Sequence, residues 1–348
     1  MKRKSIKANK VSLYRIFVGF LFLLVCSGGV RGQTAVSHIE SVGFTVSDMD
    51  RAVDFYTRVL SFKKNSDTEV WGAEVETLSG VFGARVRVVR LQLGDETLEL
   101  TEYLTPQGRP IPVDSRNNDR WFQHLAIVVG DLEQAYKNLR HHKVRHASTA
   151  PQTLPAYLKR AAGIEAFYFK DVDHHILELI EFPPGKGAPK WRELAKDKNK
   201  LFLGIDHTAI VVADTNRSLE FYRDLLRLKI SGESENYGPE QEHLNNVRGA
   251  RVRITSLQTP HAGIGVELLQ YLSPTDGKPF PADTQANDLW HWQTSFVSAG
   301  LNDSVAVFER QKIDFISRGI VTIKTKSLAF EKGLLVRDPD GHAVRVVQ

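Results

Sequence analysis

The pattern of apolar and polar positions sets out one element order twice. In Val42–Lys63, VGFTVSDMDRAVDFYTRVLSFK, an alternating run ends at an aspartate turn. Apolar residues then recur at helical spacing: Ala52, Val53, Phe55, Tyr56, Val59 and Leu60. Period two followed by period 3.6 predicts a half-buried strand, a capped turn and an amphipathic helix. Thr208–Lys229, TAIVVADTNRSLEFYRDLLRLK, repeats the pattern without a gap.

Further matched stretches occur in the same order. ELTEYLTPQGRPIP (Glu99–Pro112) matches ELLQYLSPTDGKPFP (Glu267–Pro281), and NDRWFQHLAIVVGDLEQAY (Asn118–Tyr136) matches NDLWHWQTSFVSAGLNDSV (Asn287–Val305). KDVDHHILELIE (Lys170–Glu181) matches RDPDGHAVRVVQ (Arg337–Gln348). Residues 37–182 and 204–348 therefore read as two copies of one module. Residues 183–203, rich in Pro, Gly and then charge, read as a linker with a short helix. Each module contains two smaller units, which start near His38, Trp121, Gly204 and Trp290. The inner repeat shows in HLAIVVGD from His124 and HTAIVVAD from His207. The expected fold class is α+β, with four βαβββ units.

The fourfold strand–helix–strands order, the Asp turn leading to Phe-Tyr helices and the DPDGH turn resemble the vicinal oxygen chelate superfamily. That superfamily includes glyoxalase I, extradiol dioxygenases, methylmalonyl-CoA epimerase and bleomycin-resistance proteins. The resemblance covers nearly all of the chain beyond the N-terminal segment. It implies curled mixed sheets around a metal, with one ligand from the first and one from the last strand of each unit. Alignment then nominates Ser41 and Glu99, His124 and Glu178, His207 and Glu267, and Gln293 and Arg345. Strand periodicity agrees, because Glu99, Glu178 and Glu267 each sit between two apolar residues that point to the opposite face.

Two unit pairings are possible. Pairing within modules gives each site one histidine and at least one poor ligand. Pairing across modules collects His124, Glu178, His207 and Glu267 in one site and leaves Ser41, Glu99, Gln293 and Arg345 as a degenerate second site. An arginine is a cation without an acceptor and opposes a divalent ion, so the segregation of good and poor ligands favours pairing across modules. An ion pair between Glu99 and Arg345 would then stand where a metal had been lost. Two imidazoles and two carboxylates suit one divalent ion, Zn, Ni, Co, Mn or Fe. The resemblance implies Lewis-acid chemistry on a small substrate with vicinal oxygens, with Glu178 or Glu267 moving a proton beside a carbonyl. The expected function is a glyoxalase-like lyase or isomerase. The alternatives are a metal-independent sequestering protein of the bleomycin-resistance type and an extradiol-type dioxygenase.

Charge and composition add compartment and partners. The formal charge of +5 arises mainly from residues 1–32, which hold seven basic side chains and no acidic one. Without them acidic residues slightly outnumber basic ones, so no nucleic-acid partner is expected. Basic residues, the apolar run Ile16–Val25 and the small-residue site Val30–Gly32 read as a signal peptide over 1–32. A secreted or periplasmic location is expected, with membrane attachment only if the signal is retained. Cys26, the single cysteine, would leave with the signal, so no disulfide is expected. A monomer with paired modules and a homodimer both satisfy this reading. The Pro/Gly-rich loops carrying Arg109 and Lys278 read as connectors. The pair His174-His175 reads as a turn, His141-His142 as a solvated helix end, and Trp121, Trp290 and Trp292 as aromatic core.

Overall fold

The computed structural model describes residues 36–324 and 328–348; the expected signal segment lies outside the described residues. Unit one comprises β1 (Val36–Val46), α1 (Met49–Leu60), β2 (Lys63–Trp71), α2 (Ala73–Ser79), β3 (Arg85–Leu93) and β4 (Glu96–Thr105). Unit two comprises β5 (Gln123–Val129), α3 (Leu132–His141), β6 (Arg145–His146), β7 (Gln152–Thr153), β8 (Glu165–Lys170) and β9 (Ile176–Glu181). After the linker helix α4 (Pro189–Leu194), unit three comprises β10 (Phe202–Val211), α5 (Thr215–Leu219), β11 (Lys229–Tyr237), α6 (Pro239–Asn245), β12 (Arg251–Gln258) and β13 (Gly265–Ser273). Unit four comprises β14 (Trp292–Ser298), α7 (Leu301–Arg310), β15 (Val321–Thr322), β16 (Lys332–Arg337) and β17 (Ala343–Val347).

The aspartate turns act as helix caps. Asp48, Asp131 and Asp214 accept from the backbone N–H of Arg51, Gln134 and Asn216, which satisfies donors the first turn leaves free. In unit four Gly300 takes this place and supplies no side-chain cap. Unit three also departs from the expected uniform helix. Beyond α5 the chain widens into a π turn over Glu220–Leu225, which carries the Phe-Tyr pair.

Sheets and helices assign partners differently. The strands form two curled sheets, each built from both modules. One runs β15-β16-β17-β14-β1-β4-β3-β2 and joins units one and four. The other runs β11-β12-β13-β10-β5-β9-β8-β6 and joins units two and three. The two seams are antiparallel, β1 with β14 and β5 with β10. On the face covered by α1 and the Phe-Tyr turn of unit three, two side-chain bonds each join the units of one module. The Tyr56 hydroxyl donates to Asp171 at 2.9 Å, and the Tyr222 hydroxyl donates to Asp338 at 3.0 Å. The two motifs recurrent in the sequence, Phe-Tyr and DPDGH, thus meet each other. Leu98, Leu100, Leu177, Leu179, Val266 and Leu268 are buried in the core beneath the helices, so their acidic neighbours are left to the concave faces.

The Pro/Gly-rich loops lock the modules together. Arg109 pairs with Asp288 at 2.7 Å, and the Lys278 N–H donates to Asp119 at 2.9 Å. Gly108 and Gly277 pass so close to the carbonyls of Asn287 and Asn118 that a β-carbon at either position would collide with backbone. Both loops are connectors, and both basic residues are committed to structural aspartates.

The buried Tyr–Asp bonds make a testable claim on stability. Tyr56→Phe and Tyr222→Phe should each lower unfolding stability by about 1.5–3 kcal/mol, the range for a hydrogen bond to a charged acceptor. Denaturant unfolding measures this, and an unchanged midpoint in both variants would remove these bonds from the account of the frame.

Candidate metal centre

Strand register decides which side chains meet. Across the β5–β10 seam Ala126 faces His207 and Ala209 faces His124. In the parallel pairs flanking the seam, Ala126 faces Glu178 and Ala209 faces Glu267. Two adjacent rows result, Glu178–Ala126–His207 and His124–Ala209–Glu267. Alternation along each strand puts all six residues on one face. The two buried alanines provide the space between the acids and the imidazoles. The "His-x-Ala" common to the two similar strands is therefore a geometric requirement of the site.

The imidazoles converge. His124 Nε2 and His207 Nε2 lie 3.4 Å apart. Glu178 Oε2 stands 3.1 Å from the first and 3.5 Å from the second. Ligand atoms of His124, Glu178 and His207 all lie within 4.8 Å of one another, and all three residues are buried. Glu267 sits at the rim. Its Oε2 is 3.5 Å from His207 Nε2, and its other oxygen accepts from the Ser256 hydroxyl at 2.6 Å. The side chain of Glu267 is 22% exposed against 7% for Glu178, which leaves the former in reach of a ligand.

The donor set fits a divalent cation. Burial alone would raise the Glu178 carboxyl, but the hydrogen bonds from His124 and His207 bring it down to about 2. Burial disfavours a protonated His207, yet the surrounding carboxylates, Glu267 foremost, raise its pKa well above the usual imidazole value. The pocket thus concentrates negative charge, which a proton on His207 or a bound divalent ion would balance. His207 Nδ1 lies 3.0 Å from Asp206, a carboxylate–imidazole contact that holds Nε2 toward the centre.

Asp206 is not evident from strand alternation. Adjacent residues of a regular strand face opposite sides, but a register shift between Ile205 and His207 marks a bulge in β10, and bulges re-aim side chains. The linker contributes as well. Trp191 on α4 is buried and donates its indole N–H to Asp206 at 2.7 Å. Lys186, Gly187 and Ala188 line the same cavity as the histidines. That cavity measures 490 Å³ and also exposes Tyr168, Asn236, Gln241 and Arg160. Asn236 Oδ1 and Gln241 Oε1 are buried acceptors without a partner among the described residues. No repeat pairs these residues with counterparts of known role, so no signal in the sequence points to them.

The other sheet holds a charge network in the equivalent place. Arg345 donates to Glu99 at 2.7 Å, and Arg90 donates to its second oxygen at 2.8 Å. Gln293 Nε2 lies 3.3 Å from Glu99. Ser41 stands apart from this cluster and donates instead to Glu40, itself paired with Arg90. Burial would raise the Glu99 carboxyl, but the two guanidinium groups lower it. Arg90 is absent from the aligned ligand positions; it faces Glu99 directly across β3 and β4.

A model of the Glyoxalase/Bleomycin resistance protein/Dioxygenase superfamily matches residues 36–179 and 204–346. The chain belongs to this superfamily. It is 35% identical over 163 residues to a 2-epi-5-epi-valiolone epimerase from an Actinomyces species, across 45% of this chain and 84% of that protein. In fold it is similar to glyoxalase I from Zea mays, with a TM-score of 0.57 at 16% identity over 90% of this chain and 92% of that one. A putative dioxygenase from Bacillus subtilis gives a TM-score of 0.53 at 12% identity, over 90% and 85% of the two chains. At such identity these two structures speak for the superfamily fold alone.

Elemental analysis should find one divalent ion per chain, retained in Ser41→Ala and lost in His124→Ala or His207→Ala. Trp191→Phe and Ala126→Val, which leave every ligand in place, should weaken metal affinity by about 10-fold or more in a competition titration. Unchanged affinity in both would separate the linker and the alanine rows from the centre. For the second cluster, Arg345→Met should cost about 3–5 kcal/mol by stranding a buried charge, with much of it recovered in the Glu99→Leu/Arg345→Met double variant. Equal loss in both proteins would show that the network is more than a charge balance.

Proposed function

We propose that this chain is a metal-dependent, isomerase-type enzyme that moves a proton on a small hydroxylated substrate with vicinal oxygens. The observation that carries the reading is the convergence of two imidazole Nε2 atoms on one buried carboxylate inside a 490 Å³ cavity. The epimerase relative supports the reaction class, since epimerisation inverts one stereocentre.

His124, Glu178 and His207 would hold the ion, with Glu267 as a fourth ligand at the rim. When bound, a divalent ion supplies Lewis acidity toward a substrate oxygen. The other duties fall to side chains. Glu178 is gripped by both histidines and is fixed. Glu267 has one oxygen held by Ser256 and the other directed to the cavity, and it is the base that removes and holds the proton. Asn236 and Gln241 offer unused amide oxygens to substrate hydroxyl groups. Leu154, Leu244 and Leu269 form apolar walls of the cavity, which strengthens the electrostatic interactions inside. On the strength of its N-terminal sequence, we place the enzyme in an exported compartment.

The test is exchange in deuterated water. The protein is stripped with a chelator, reloaded with Zn, Ni, Co, Mn or Fe(II), and mixed with 2-epi-5-epi-valiolone and other hydroxylated ketones. NMR should show deuterium entering beside the carbonyl. Glu267→Gln should slow the exchange by roughly 100-fold or more while its protein still binds substrate. Binding without exchange under every metal would favour a sequestering protein, and full activity of Glu267→Gln would exclude it as the base.

A further inference from the structure

A second cavity, of 560 Å³, lies where the loop of residues 111–117 meets the turn of residues 174–176, and it shares no lining residue with the metal cavity. Trp121, Trp290 and Trp292 line it together with Arg116, Arg145 and Lys170. No acidic residue lines it. Arg116 pairs with Asp276. Arg145 and Lys170 have no ion-pair partner among the described residues, and Arg145 instead approaches His174 Nε2 at 3.3 Å.

The internal repeat supplies a control for this feature. In module two Phe280 occupies the corresponding place. Phe280 packs against the His342 ring at 5.4 Å, and the Arg337 guanidinium lies 5.9 Å from the Phe280 ring. Gly341 makes this possible, since a β-carbon there would stand 2.9 Å from Phe280. Module one replaces the whole set. Ile111 stands for Phe280, His174 for Gly341, Lys170 for Arg337 and Arg145 for Asp314. The smaller apolar residue withdraws the plug. The last exchange removes an acid and adds a cation. His174 keeps the left-handed backbone of the glycine it replaces, with φ 75°, a conformation unfavourable for a residue with a β-carbon. The turn reading of His174-His175 holds for the backbone, but His174 also faces this cavity.

We propose that this cavity is a second ligand site, built for a small planar anion such as an aromatic carboxylate. The indoles, each 5–7% exposed, give the cavity an aromatic floor against which a ring can rest, and Arg145 and Lys170 offer unpaired donors to its carboxylate. The volume falls within the range of about 300–1,000 Å³ usual for small-molecule pockets. The site is independent of the metal centre and of the proposed reaction.

Benzoate and 2-naphthoate are the probes, with benzamide and 2-naphthamide as neutral controls, read by tryptophan fluorescence and calorimetry on the full protein. At least one carboxylate should bind saturably and more tightly than its amide. Lys170→Ala and Arg145→Ala should each weaken it by about 10-fold. Ile111→Phe/His174→Gly, which rebuilds the arrangement of module two, should abolish binding while metal content and thermal midpoint are kept. His124→Ala should bind the probe normally. Absence of saturable binding by both carboxylates, equal binding of the amides, or full binding in Ile111→Phe/His174→Gly would each overturn the proposal.

Discussion

The antiparallel seam between β5 and β10 is the constraint on which the rest of the molecule depends. It joins the second unit of one module to the first unit of the other, and its register faces Ala126 with His207 and Ala209 with His124. A slip of either strand by one residue would send its own histidine to the leucine-lined face and break the pairing of the two imidazoles. The loop pairs Arg109–Asp288 and Lys278–Asp119 hold the same modules at the ends of the strands. The register is thus set by hydrophobic burial on one side and by charged loop contacts beyond it.

The same seam, repeated between β1 and β14, carries a copy of the site with its ligands replaced. Buried carboxylates facing each other without a cation are costly. The second sheet meets that cost with Arg345 and Arg90 around Glu99. The sheet of units two and three keeps two acids and two imidazoles, a set that could hold a divalent ion. On one backbone, fixed guanidinium charges thus occupy the place where the other sheet keeps a candidate cation site.

Helices and sheets divide the work of assembly. Tyr56–Asp171 and Tyr222–Asp338 tie the units within a module on the outer face. The seams tie units across modules on the inner face. The linker crosses between these layers, because Trp191 packs in the core around Leu203 and bonds to the aspartate behind His207. A segment with the composition of a spacer therefore bears directly on the candidate centre.

The sequence alone determined the element order, the two nested repeats and the candidate ligands. Periodicity and repetition are local properties that survive in one dimension, and the contrast of His124 and His207 against Gln293 and Ser41 was visible by alignment. Asp206, Trp191, Arg90, Asn236 and Gln241 were invisible, because each acts through a bulge, a linker contact or a cross-strand neighbour. The difference between the two modules at this cavity was equally hidden, although Ile111, Lys170 and His174 stand in matched segments. Only the tertiary structure decided these, since a side chain's role depends on the distance and direction to residues far along the chain, and strand register converts sequence separation into contact.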